Sequence, residues 1–190
     1  MNNIYVLSES DTIKLLEMEE VIEAVENVYR EKTLGSGKLF PMVFHEFESQ
    51  VADMDIKSGT LDDMGVYGLK LVSWFGENRK KNLPMLSGVV MLFDRETGIP
   101  LALINAEHMT GMRTGAAGAI GARYLARRDS QVMLMVGAGH QATYQIRAMQ
   151  AVFPDLKKVM VFDPVNMDNA SVFVNNFGYK KENIQYIAVE

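Results

Sequence analysis

The chain has 190 residues, is 48% hydrophobic and 23% charged, carries a net charge of −5 and contains no cysteine. That composition gives ample apolar material for a core, and the length suits one domain or a domain and a fraction at roughly 150 residues each. Disulfides and thiolate metal sites are excluded. The three histidines, His45, His108 and His140, lack metal-ligand spacing, so no metal is expected. The acidic balance argues against a nucleic-acid partner. No apolar run reaches the roughly 18 residues of a membrane span, and the N-terminus lacks the basic and apolar regions of a signal peptide. The expected location is cytoplasmic.

Residues 4–7 read as a short strand and residues 8–11 as turn and cap residues. Over residues 18–32 the spacing of Val21, Val25, Val28 and Tyr29 predicts an amphipathic helix with Glu19, Glu23, Glu26 and Arg30 on its other faces. Gly35 and Gly37 end it. Strand-like runs follow at 42–47, 54–57, 68–73, 88–93 and 101–105, with turn residues between them. The segment 94–98 is a hairpin signal, with Gly98 available for a positive φ. These runs predict a mixed sheet packed on the first helix.

Residues 110–126 read as a helix rich in small residues, including Gly111, Gly115, Gly118 and Gly121. Each glycine costs about 1 kcal/mol relative to alanine in a helix, so backbone or ligand is expected to approach closely. After a polar linker at 127–130 the pattern becomes strand, helix, strand, helix, strand. The strands are expected around Val132, Val159 and Ile184, and the helices over 141–152 and 167–177. That alternation marks a parallel α/β sheet. Residues 131–190 accommodate one βαβαβ half, whereas a dinucleotide-binding fold has two. The fold class is therefore α/β. A mixed-sheet α+β domain over residues 1–128 precedes a Rossmann-type unit over 129–190, of which only the first half is expected. The run 183–190 is its expected third strand, with an edge left to be covered.

Within this unit, an apolar strand at 132–136 runs into Gly137-Ala138-Gly139-His140-Gln141-Ala142. Such a turn brings backbone N–H groups and a helix N-terminus up to a diphosphate. Gly137 suits the tight turn, Gly139 the close approach, and Ala142 replaces the third glycine of the fingerprint. A second strand ends at Asp163, 24 residues after Gly139, near the spacing of about 20 expected for a ribose-binding acid. Gly137, Ala138, Gly139, His140, Gln141 and Asp163 are thus candidate cofactor-binding residues. His140 is expected to contribute its backbone rather than act as a base. A carboxylate at Asp163 would repel a 2′-phosphate, so NAD(H) is the expected cofactor in preference to NADP(H). An ordinary strand–turn–helix connection is the competing reading.

The ordered set of Gly68-Leu-Lys70-Leu-Val-Ser73, Leu83-Pro84, Leu92-Phe93-Asp94, Thr97-Gly98, Pro100-Leu-Ala, Thr110-Gly-Met-Arg113-Thr114-Gly, Leu125-Ala-Arg127 and Gly137-Ala-Gly139-His-Gln141 resembles the ornithine cyclodeaminase/mu-crystallin family over essentially the whole chain. The resemblance implies a substrate-binding and dimerisation domain joined to a Rossmann domain that binds NAD(H) or NADP(H). It further implies cyclodeaminase, amino-acid dehydrogenase or imine reductase chemistry, with hydride exchange at the substrate Cα by way of an imine. The family's functional lysine falls on Lys70 and its carboxylate-binding arginine on Arg113. The arginine role matches the bidentate fit of a guanidinium to a carboxylate. Thr110 and Thr114 match positions near the cofactor, with a helix cap as the alternative for Thr110. Surface charge is the competing reading of Lys70 and Arg113.

Three departures stand out. No arginine follows Pro41, where the family usually has one, and Lys57 is the candidate to replace that charge. Met85 stands where a threonine is frequent after Leu-Pro. The family's catalytic aspartate falls in the second half of the Rossmann domain, beyond these residues. An amino-acid or imino-acid substrate and a homodimer are the implied partners. The alternative is a truncated, catalytically inactive member that binds nucleotide or dimerises.

Overall fold

A computed structural model describes residues 3–189. The chain begins with β1 (Tyr5–Leu7) and α1 (Glu9–Leu15). Of residues 8–11, expected as turn and cap residues, Ser8 is the N-cap of this helix and Glu9 to Asp11 form its first turn. Ser8 Oγ accepts from Asp11 N, and Ser8 N donates to Asp11 Oδ2 at 2.9 Å, a reciprocal arrangement that satisfies two orphan donors. At seven residues α1 is too short to show a helical period in sequence. Next come α2 (Met18–Leu34), β2 (Gly37–Leu39), β3 (Val43–Glu48), β4 (Ala52–Leu61), β5 (Val66–Phe75), β6 (Leu86–Asp94), β7 (Pro100–Asn105) and α3 (Glu107–Leu125). The last part holds β8 (Val132–Val136), α4 (His140–Val152), β9 (Lys158–Phe162), α5 (Met167–Asn176) and β10 (Gln185–Ala188).

The described residues fall into two compact units, one of residues 3–16 with Asn27–Thr110 and the other of Glu17–Glu26 with residues 111–189. The division lies inside α2 and α3, whereas the sequence places a boundary in the polar linker at residue 128. The first unit is a seven-stranded mixed sheet in the order β1-β7-β6-β5-β4-β2, with β3 sharing the outer edge of β4. Only β1 and β7 run parallel; the remaining pairs are antiparallel. The strands expected at 54–57 and 68–73 are longer than predicted. They form ten consecutive pairs from Ala52 opposite Phe75 to Leu61 opposite Val66. The 94–98 hairpin forms with Gly98 at φ 72°, and Asp94 Oδ1 accepts from the N–H groups of Glu96 and Thr97. Against β1 and β7 lies α1, while Val28 and Lys32 of α2 line a groove with Gly37 and Leu39 of β2 and Gly59 and Leu61 of β4.

The second unit contains a three-stranded parallel sheet in the order β10-β9-β8. The strand expected over 183–190 forms at Gln185–Ala188; Glu190 lies outside the described residues. On one face Val159 and Val161 meet Ile146 of α4, Ala170 of α5, Phe153, Leu156, Phe177 and Ile184 in a buried core. The other face carries Leu134 and Val136 beside Met160 and Phe162 in register, with Leu134 56% and Val136 57% exposed. Within this unit α3 lies close along α4. Gln141 Nε2 donates to Gly111 O at 3.1 Å and Gln145 Nε2 to Thr114 O at 3.1 Å. The close approach expected of the small-residue helix is thus made by α4 rather than by a ligand.

Candidate dinucleotide and substrate sites

The nucleotide half of the site is built where β8 gives way to α4. The β8–β9 ladder is extended by Gly137 N, which donates to Phe162 O at 2.7 Å. Gly137 then turns the chain at φ 96°, a conformation open to glycine at no steric cost. The next N–H, that of Ala138, donates to Asp163 Oδ2 at 2.9 Å. Gly139 is the N-cap of α4, with no side chain to close the helix end. A Cβ placed on Gly137 or Gly139 would meet nothing within 4 Å. A helix leaves its first-turn N–H groups without i−4 partners; here that of Ala142 donates to Gly139 O at 3.0 Å, and those of His140 and Gln141 precede it at the head of α4. The helix dipole adds a positive potential there. This cradle fits a diphosphate.

Asp163 is buried, at 7% exposure. Its Oδ1 accepts from Val165 N at 3.0 Å and Asn166 N at 3.1 Å, its Oδ2 holds Ala138 N, and the Asn169 side chain also bonds to it. The N–H of Ala138 first, then those of Asn166 and Val165, keep the carboxyl below the usual Asp range. The sequence pointed to the acid but not to these partners. The local signal for them was Asp163-Pro164-Val165-Asn166, a turn opening in which an aspartate accepts from N–H groups two and three residues on.

The remaining cofactor candidates divide. His140 is exposed at the first position of α4, its ring 5.2 Å from that of Tyr144. The Gln141 amide is engaged with Gly111 O, which ties two helices together. Thr110 and Thr114 lie within α3. Because α3 begins at Glu107 and Asn105 Oδ1 accepts from Glu107 N at 3.0 Å, Thr110 is not its N-cap. Arg113 is exposed on the same helix.

Lys57 and Lys70 belong to the sheet of the first unit. They stand directly opposite one another across β4 and β5, on one face, since paired residues share a face. Lys70 is half-buried and Lys57 exposed. Lys57 Nζ forms an ion pair with Asp55 Oδ2 at 2.7 Å. The face that the two lysines share also carries Asp53 and Asp55 of β4 and, opposite Asp53, Glu46 of β3. Among the described residues no cluster of His, Asp and Glu could hold a metal ion, and no helix is long and apolar enough to cross a membrane.

Comparison with known proteins places these features in context. The chain is 38% identical over 158 residues to an alanine dehydrogenase of Archaeoglobus fulgidus, covering 83% of this chain and 48% of that protein. It is also similar in structure to the Thermococcus litoralis Δ1-pyrroline-2-carboxylate reductase in complex with NADH and L-proline. There the TM-score is 0.90 at 37% identity, over 98% of this chain and 57% of that one. An archaeal alanine dehydrogenase dimer with bound NAD matches with a TM-score of 0.88 at 35% identity, over 98% and 56% of the respective chains. The chain thus spans about half the length of the relatives it matches. The model of the ornithine cyclodeaminase/mu-crystallin family matches residues 2–188, and the chain belongs to that family.

Proposed function

We propose that the chain is the substrate-binding domain (residues 1–128) and first half of the nucleotide domain (129–190) of an NAD(H)-dependent amino-acid or imino-acid oxidoreductase or cyclodeaminase. The observation that carries this reading is the open glycine turn at the head of α4, tied through Ala138 to an acid at the end of the neighbouring parallel strand. The relatives with bound NAD or NADH support it. A nicotinamide ring, when bound, supplies hydride exchange with the substrate Cα. The N–H groups of Gly139, His140 and Gln141 hold the diphosphate, with Thr110 and Thr114 toward the nicotinamide end. The negative charge of Asp163 disfavours a 2′-phosphate, which makes NAD(H) the preferred cofactor over NADP(H).

Lys70, Arg113 and Lys57 bind the substrate in this reading. Arg113 supplies a bidentate fork for the α-carboxylate. Lys70 holds the substrate or polarises the imine carbon as hydride leaves or arrives, and Lys57 adds the second positive charge that the family otherwise takes from an arginine after the early proline. We also assign a homodimer formed through the first domain, supported by Leu39, Val43, Phe44 and Phe47, all more than half exposed on or beside β2 and β3. The assigned location is cytoplasmic.

Calorimetric titration with NADH and NADPH tests the cofactor assignment, followed by assays of amino-acid-dependent NADH formation. Saturable NADH binding at micromolar concentration, with weaker NADPH binding, is the expected result, and Asp163→Ser should narrow the gap. A folded chain that binds neither dinucleotide overturns the reading. Binding without turnover on any amino acid assigns a binding role instead.

A further inference from the structure

A carboxylate offers about four lone-pair positions to hydrogen-bond donors. At Asp163 the N–H groups of Ala138, Val165 and Asn166 occupy three, and the Asn169 side chain bonds to the same carboxyl. The three backbone donors are fixed by the ends of β8 and β9 and by the start of α5. Only the exposed Asn169 side chain could swing away to admit another donor. Gly137 N on Phe162 O and Ala138 N on Asp163 Oδ2 are consecutive bonds to consecutive residues. Asp163 therefore continues, by side chain, the ladder that fixes where the glycine turn begins. We propose that Asp163 is a positioning residue whose main contribution to ligand affinity is to hold the residue 137–139 turn in its diphosphate-binding shape, so that it acts on ligands with no ribose hydroxyls at all.

This inference rests on the dinucleotide reading and makes a claim of opposite sign to a purely electrostatic one. A carboxylate acting only by its charge repels a diphosphate, and neutralising it tightens binding. A carboxylate acting only as a ribose acceptor affects ligands that carry the hydroxyls and no others. A carboxylate that positions the turn strengthens binding of both kinds of ligand, because a bond from a backbone N–H to a charged acceptor is strong.

The test is calorimetric titration of the chain with ADP and with 2′,3′-dideoxyadenosine diphosphate. In the wild-type chain the two affinities are expected to lie within about threefold of one another, because Asp163 is already saturated. Asp163→Asn, which turns an NH2 group toward a backbone donor, is expected to weaken both ligands by roughly tenfold. Faster hydrogen exchange at the Ala138 amide, with the core Val159 amide still protected, identifies the turn as the part that loosens. A wild-type preference for ADP greater than about threefold overturns the proposal, as does an Asp163→Asn chain whose affinity for the dideoxy compound is unchanged or tighter. The wild-type comparison decides the matter even if the variant fails to fold. Failure of the wild-type chain to bind ADP overturns the dinucleotide reading itself, and the claim about ligands falls with it.

Discussion

The ring of Tyr144 fills the space into which a side chain on Gly111 would project: a Cβ added at Gly111 would lie 2.3 Å from Tyr144 Cε2. Gly121, further along the same helix, has nothing within 4 Å of the corresponding point. The two positions separate packing from helix propensity. Gly121→Ala is expected to stabilise the chain by about 0.5–1 kcal/mol. Gly111→Ala should destabilise it by about 1–3 kcal/mol through overpacking, despite the same propensity gain. Urea unfolding of the two variants gives both signs, and two variants of equal stability would refute the contact.

The facing of Lys57 and Lys70 makes Lys57 a specific target. Lys57→Met removes the charge while keeping much of the stem. Its expected effect is a roughly 10–100-fold weaker interaction with an amino-acid carboxylate, the size of a lost charge-assisted hydrogen bond, with NADH affinity unchanged. Lys57→Arg should retain binding. Lys70→Ala should abolish turnover in a catalytically competent form while leaving NADH binding largely intact. Titration with L-alanine and L-proline in the presence of NADH checks the binding arms, and equal affinity of wild type and Lys57→Met removes Lys57 from the site.

Much of this was legible in sequence because it is local. The glycine turn, the acid that follows it and the 94–98 hairpin each lie within a few residues of a residue type that the backbone conformation or the chemistry demands. The lysine pair was not legible. Residues 57 and 70 read as two separate charges until a ten-pair antiparallel register set them opposite one another. The small-residue helix was read as awaiting a close neighbour, but sequence could not choose between ligand and protein; Tyr144 and Gln145 of α4 are the answer. The helix α1 was missed because about two turns are too few to show a period, although its capping box was present. At Asp163 the type of residue was visible and its saturation was not, since Ala138 bonds to it from 25 residues away.

Acid should weaken the fold through carboxyls held by hydrogen bonds. The pKa values of Asp94 and Asp163 lie below the ordinary value, the first through the hydroxyl and N–H of Thr97, the second through the N–H of Ala138. A folded-state pKa below the unfolded one gives stability that is present above the unfolded value, about 3.9, and lost as pH falls through the folded value. Thermal unfolding between pH 6 and 3 is expected to show a falling midpoint below about pH 4, and Asp94→Asn should flatten part of that fall. An identical pH profile for the variant would contradict the hairpin's role.

The open face of the parallel sheet predicts a different behaviour in solution. Leu134 and Val136 are exposed beside Met160 and Phe162, and contiguous exposed apolar surface binds hydrophobic dyes. Leu134→Lys is expected to lower anilinonaphthalene sulfonate fluorescence while changing stability by no more than about 0.5 kcal/mol. A large loss of stability would place Leu134 in a core instead.

The ten-pair register of β4 and β5 also limits how this sheet face can vary. A shift of one residue between the strands moves a side chain to the opposite face, so an insertion or deletion between Lys57 and Leu61 or between Val66 and Lys70 would separate the two lysines, whichever residue it added or removed. Between the two lysines, only the connection at residues 62–65, where Gly65 turns the chain at φ 64°, can change length without consequence for them. Lineages that alter the substrate are therefore expected to do so by point replacement along these strands and to accumulate length differences in that connection alone.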